Sequence, residues 1–302
     1  FNSKRSVKIY ENFRKKLIGG EMAIVTFWSE DEKVTSQTTS LIASAVQMGI
    51  ERNLKILIVD ASFKGEMMKK AFMQDESNTD LIKKINMGKV DISAGIEGLL
   101  AAVSSNKISP ETVKSYSTPI LVGRVDIIYG LKTIDKKMFE NALMPMLEMV
   151  KIADMYYDLI FIDLQKGLRN SPAINEILKA SELVIYTMEQ KLEQINRFIE
   201  LWGKDEALLN KNRVIPLLTR EDSFSKYNCD NIARKIGMKP GMPSIVYNTL
   251  LMEAIQEGKL VNLLITLNDD NSTYRNNYLI KTLEDLNLLI IDRIQQLKYE
   301  KK

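Results

Sequence analysis

The sequence predicts a single α/β domain, residues 1–302, built around a mostly parallel sheet, and three observations predict it. Short β-branched runs alternate with amphipathic segments, the order that successive βα units produce. Most of those runs are apolar nearly throughout, as central strands covered on both faces must be. A chain of 302 residues also has the length for one large α/β domain whose core needs no staple.

The strands are expected at MAIVTF (22–27), LKILIVD (54–60), PILVGRVDIIYG (119–130), YDLIFID (157–163), SELVIYT (181–187) and RVIPLL (213–218), with SIVYN (244–248) as a shorter seventh. Helical patterns lie between them at 38–52, 93–103, 136–153, 172–179, 191–202 and 231–236. Ser171 followed by Pro172 reads as an N-cap with proline at the first helical position. Gly237 closes a helix whose last turn carries Arg234 and Lys235. The stretch 74–117 is the least regular and predicts helical excursions between strands. From about 278 to 302 Leu279, Ile280, Leu283, Leu286, Leu289, Ile290 and Ile294 recur at helical spacing. Such a helix packs back on the domain or lies on a membrane surface or partner, and Asp285 and Asp292 dilute the basic character the second use prefers.

Composition removes several functions. Hydrophobic residues make up 45% and charged residues 27%, the balance of a soluble globular protein. The formal charge of +3 gives no strong nucleic-acid signature. With no histidine, His-based triads, histidine general bases and most zinc sites are excluded. Cys229 is the one cysteine, so no intrachain disulfide forms and a reducing, cytoplasmic setting is expected. No apolar run of transmembrane length and no signal-peptide pattern is present. The chain starts at Phe1 rather than methionine, as a trimmed chain would.

The chemistry concentrates after the first strand. Strand, polar loop, helix, and then a strand ending in aspartate is the order of phosphate-binding NTPases, in which loop amides cradle phosphate at a helix N-terminus. The loop chemistry differs, because FWSEDEKVTSQTTS has no glycine before its helix and places Glu30, Asp31 and Glu32 where phosphate would approach. Thr38 and Thr39 stand where a magnesium-binding hydroxyl would sit, and threonines in that place also cap helices. Lys33, the only cation in the loop, is a phosphate contact or a solvated surface lysine. Asp60 and Asp163 each end a buried strand, where they can face magnesium and an attacking water or simply form turns.

Taken together, TTSLIASAV, KILIVDAS, YDLIFIDLQKG, LKASELVIYTMEQ and YNTLLMEAIQEGKLV resemble, in order and spacing, the deviant-Walker MinD/ParA group of P-loop ATPases over most of the chain. Within that group, TTSLIASAV after a loop without Gly-Lys, the run SKYNCDNIARKIGMKPGMPSIVYN and the region IEGLLAAVSSNKISPETVKSYSTPILVGRVDIIYG resemble TadZ/CpaE-like proteins of Flp-pilus and tight-adherence machinery. The resemblance implies a Rossmann-like doubly wound sheet, ATP and Mg2+ as cofactors, a homodimer, and protein partners in a pilus or secretion apparatus, with a peripheral position at the inner face of the cell membrane.

Departures from the family pattern shape the expected chemistry. Aligning Thr38 and Thr39 with the family's paired threonines puts Gln37 at the Walker lysine and Ser36 at the preceding glycine. The signature lysine falls near Glu32, with Lys33 one position away, and another alignment shifts the register by two or three residues. Asp163 matches the Walker B aspartate, while Asp60 keeps the first acid of an Asp-x-Asp pair whose second position is Ser62. Losing lysine and glycines together removes donors worth several kcal/mol to a phosphoryl transition state, so efficient hydrolysis is not expected. Three functions remain open: a non-hydrolysing or very weak ATPase relative acting as an assembly scaffold, an active ATPase using Lys33 in an unfamiliar register, and a DNA-partition protein with salt-sensitive binding.

Overall fold

The computed structural model describes residues 23–63, 65–73, 95–105, 108–131, 133, 135–202, 212–238, 241–269 and 274–300. Met22 at the head of the first strand, residues 74–94 and 106–107 of the irregular stretch 74–117 with the helix start expected at 93, and the last two residues of the terminal helix lie outside them.

Among the described residues eight strands form one sheet in the order β3-β4-β2-β5-β1-β6-β7-β8. These are β1 (Ile24–Trp28), β2 (Ile56–Ala61), β3 (Thr118–Leu121), β4 (Val125–Ile128), β5 (Leu159–Leu164), β6 (Leu183–Met188), β7 (Val214–Glu221) and β8 (Ser244–Val246). All neighbours pair in parallel except β3 with β4. That pair corrects the single strand expected at 119–130. The chain reverses there, where Gly123 adopts φ 73 and the Arg124 amide donates to the Leu121 carbonyl at 2.8 Å, so the apolar run becomes a hairpin.

Both faces of the sheet are covered. Val25, Phe27, Ile56 and Ile58 point to one side, against α1 (Gln37–Glu51), α9 (Thr249–Gln256), α10 (Leu260–Asn268) and α11 (Tyr274–Glu300). Their alternate neighbours Ile24, Trp28, Leu57 and Val59 point to the other, against α3 (Gly95–Ser104), α5 (Lys136–Ala153), α6 (Pro172–Ala180), α7 (Leu192–Leu201) and α8 (Cys229–Ile236). The short helices α2 (Met67–Phe72) and α4 (Pro110–Tyr116) complete the described set. This is the doubly wound arrangement: the strand neighbours of β1 are β5 and β6, and the chain winds outward from it in both directions.

Local chemistry fixes the helix ends. Asp135, Asn228 and Asn248 accept from the amides of Met138, Asn231 and Leu251, and Gly237 closes α8 in the left-handed region at φ 68. α2, α9 and α10 are helices that periodicity did not single out, whereas α4 falls in the stretch where helical excursions were expected. The terminal helix spends its apolar stripe on the domain. Leu279, Leu283, Leu286, Ile290, Ile291 and Ile294 are fully buried, and Asn287 exchanges hydrogen bonds with Ser44 of α1, its side-chain amide donating to the Ser44 carbonyl at 3.1 Å. No helix among the described residues is long and apolar enough to cross a membrane.

Candidate functional site

Parallel pairing brings the carboxyl ends of β1, β5 and β2 side by side, with Phe27 opposite Asp163 and Asp163 opposite Asp60. The segment 29–36 arches over these ends into α1, as the strand order leads one to expect. At its end Ser36 takes φ 50, a left-handed conformation that glycine adopts without strain, and its hydroxyl donates to Glu189 Oε1 at 2.8 Å.

The first turn of α1 is directed at Asp163. Gln37 Nε2 donates to Asp163 Oδ1 at 2.6 Å and to the Leu164 carbonyl at 2.7 Å, and Thr38 Oγ1 donates to Asp163 Oδ2 at 2.6 Å. Thr38 is thus no cap: Ser36 holds the cap position, without a side-chain hydrogen bond to the helix. Thr39 faces the other way, 3.5 Å from Met67 Sδ. Asp163 is buried, and burial raises its pKa while the Thr38 and Gln37 hydrogen bonds oppose the shift. Asp60, 1% exposed, is pushed up to about 7 by burial and then by the nearby Asp163 charge, against the pull of the Ser62 hydroxyl at 2.6 Å and its amide. One Asp60 oxygen, Oδ2, has no hydrogen-bond partner.

Lys33 does not join this group. Its ammonium lies in solvent and binds Glu193 at 2.7 Å, which raises its pKa by that hydrogen bond and then by the glutamate's charge. The loop carboxylates have their own cations: Arg169 is 3.3 Å from Glu30 and Arg197 is 3.7 Å from Asp31. Lys166 donates to the Lys33 carbonyl at 3.2 Å, and Lys191 pairs with Glu189 at 2.8 Å. Gly167, at φ 68, permits close approach, since a Cβ there would meet Glu32 Cγ at 2.5 Å. The structure therefore joins Asp60, Asp163, Gln37 and Thr38 in one cluster, turns Ser36 toward Glu189, and leaves Lys33 and Thr39 at the margin.

Several members of this cluster escaped sequence reasoning. Glu189, Gln194 and Thr219 come from the ends of β6, the start of α7 and β7, and Gln194 and Thr219 donate to the carbonyls of Val34 and Thr35 at 3.2 and 2.8 Å. Their placement beside β1 depends on strand order, which the apolar runs alone do not specify. Two hollows flank the loop. One of about 450 Å³ lies between it and residues 167–169, and an open groove of about 980 Å³ at the ends of β6, β7 and β8 is lined by Glu189, Arg220, Phe224 and Tyr247. Among the described residues no group of three or more His, Cys, Asp or Glu is disposed to hold a metal.

No protein-family model matches the chain, and no curated protein matches it in sequence. Solved structures do. A ParA family ATPase from Chlorobium tepidum TLS superposes with TM-score 0.65 at 16% identity over 89% of this chain and 99% of its own. A chain of the MinC:MinD cell division protein complex of Aquifex aeolicus gives 0.59 at 14% over 87% and 95%. A protein of Borrelia burgdorferi B31 assigned to plasmid partition, bound to AMPPNP, gives 0.56 at 16% over 93% and 100%. The chain has the α/β fold of ParA/MinD-type P-loop ATPases.

Proposed function

We propose that this chain is a ParA/MinD-fold protein without effective ATP turnover, acting as a localisation or assembly factor for a pilus or secretion apparatus. It would work as a homodimer at the inner face of the cell membrane through protein contacts. One observation supports the loss of turnover: Gln37, which the family resemblance aligns with the Walker lysine, has its amide already bound to Asp163 and Leu164. A neutral amide there offers a triphosphate no charge compensation. Glu30, Asp31 and Glu32 add anions on the approach, and Lys33, Lys191 and Arg169 are each paired with a carboxylate. Thr38, Asp163 and Asp60 retain oxygen chemistry suited to magnesium, but the phosphates that would bring the metal do not fit this loop.

The assembly role rests on the resemblance to TadZ/CpaE-like proteins and on protein association in this fold, since the Aquifex neighbour is a MinC:MinD complex. The active-ATPase alternative loses its main support with Lys33 bound to Glu193 at 2.7 Å. The partition alternative lacks a strongly basic balance, the formal charge being +3. Phosphate release from MgATP by wild type and Asp163→Asn tests turnover. Equal, background-level release is expected, whereas release by wild type that the variant loses would overturn the proposal. Light scattering tests the dimer, and a monomer at all concentrations would remove that part.

A further inference from the structure

The loop that would cradle phosphate has its own anion. Asp31 is only 3% exposed although it lies in a loop between charged residues. Its Oδ1 accepts the Lys33 amide at 2.9 Å, while its Oδ2 makes no hydrogen bond and faces the half-exposed Arg197 guanidinium at 3.7 Å as an ion pair only. The Asp31 amide in turn donates to Ser29 Oγ at 3.2 Å. A backbone amide and a cation converging on one oxyanion group are the contacts by which such a loop holds an external anion. Here a side chain of the loop receives them.

We propose that Asp31 is a resident anion, a positioning residue that closes the β1–α1 loop from within and keeps it in one conformation without ligand. This rests on the reading that the site holds no nucleotide. Its consequence goes further, because the surface built on the loop is permanently formed instead of being switched by nucleotide. The surrounding contacts fit that role. Gly167 donates its amide to the Ser29 carbonyl at 2.8 Å, the Thr187 and Thr35 hydroxyls meet at 3.2 Å, and Thr219 holds the Thr35 carbonyl at 2.8 Å. The loop is thereby tied to the ends of β5, β6 and β7, while Asp31 folds residues 29–33 on themselves and faces Arg197 of α7.

Asp31→Asn keeps the shape and removes the charge. Amide hydrogen exchange across 29–36, with β5 as internal reference, is expected to quicken roughly fivefold in the variant while β5 is unchanged, because the Lys33 amide bond loses its charge assistance and Arg197 its counter-charge. Wild-type exchange in the loop is expected to be unaltered by millimolar MgATP. A second variant, Asp31→Gly, removes the carboxylate and supplies backbone freedom, and is expected to bind inorganic phosphate more tightly than wild type. Unchanged loop exchange in Asp31→Asn, or phosphate binding no tighter in Asp31→Gly, would overturn the inference. Tight MgATP binding by wild type would instead sink the functional proposal, so the two failures are distinct.

Discussion

Replacing Asp60 by asparagine should stabilise the protein at alkaline pH and leave it nearly unchanged in acid. Asp60 is 1% exposed, and burial, then the Asp163 charge, lift its pKa to about 7. An unfolded aspartate titrates near about 3.9. Because the folded value is the higher one, the native state binds the proton more tightly. Its stability is complete below about pH 4 and is lost as pH rises through about 7. Each pH unit in that window removes about 1.4 kcal/mol, or about 4 kcal/mol over roughly three units. Asparagine has no charge to desolvate and can still accept from Ser62, so the variant lacks this slope. Glu51, lifted to about 7 chiefly by burial, gives wild type a second slope of the same sign, but that one persists in the variant and cancels in the comparison. Urea denaturation of both proteins at pH 5 and pH 8 measures the effect. The variant should lead wild type by about 4 kcal/mol at pH 8 and by only about 1.5 kcal/mol at pH 5, a gap that widens by about 2.7 kcal/mol between the two. A difference independent of pH would refute the reasoning.

Other perturbations probe neighbouring parts of the account. Gln37→Ala removes two hydrogen bonds, one of them to a buried carboxylate, and should cost about 1.5–3 kcal/mol in the same denaturation assay; a change within error would mean that the amide does not hold Asp163. Gly167→Ala combines φ 68 with a Cβ that would meet Glu32, so a loss of more than about 1 kcal/mol is expected, and a neutral result would contradict the loop packing. Leu286→Ala on the terminal helix should cost about 2–5 kcal/mol, because Leu286 is fully buried; unaltered stability together with weaker sedimentation on anionic vesicles would instead place that helix on a membrane.

Much of the fold was legible because parallel strands buried on both faces leave continuous apolar runs. β1, β2, β5, β6 and β7 fall on the expected stretches, the helix after β5 begins at Pro172 and the helix after β7 ends at Gly237. The hairpin of β3 and β4 was missed because its turn, at Gly123, interrupts an otherwise apolar run that reads as one strand. The acids at the strand ends were visible, since parallel register requires Asp60 and Asp163 to emerge together. The loop partners were not. Whether Lys33 meets a ligand or Glu193, and whether Asp31 faces phosphate or Arg197, depends on the distant helix α7, and no local pattern encodes those distances.

The central claim is that this P-loop position is filled by the chain's own side chains. Isothermal titration of MgATP into the wild-type protein tests it most directly. The account predicts no saturable heat up to millimolar nucleotide. Saturable binding in the micromolar range would contradict it, since Gln37, Asp31 and Glu32 would then have to leave the positions that they hold here.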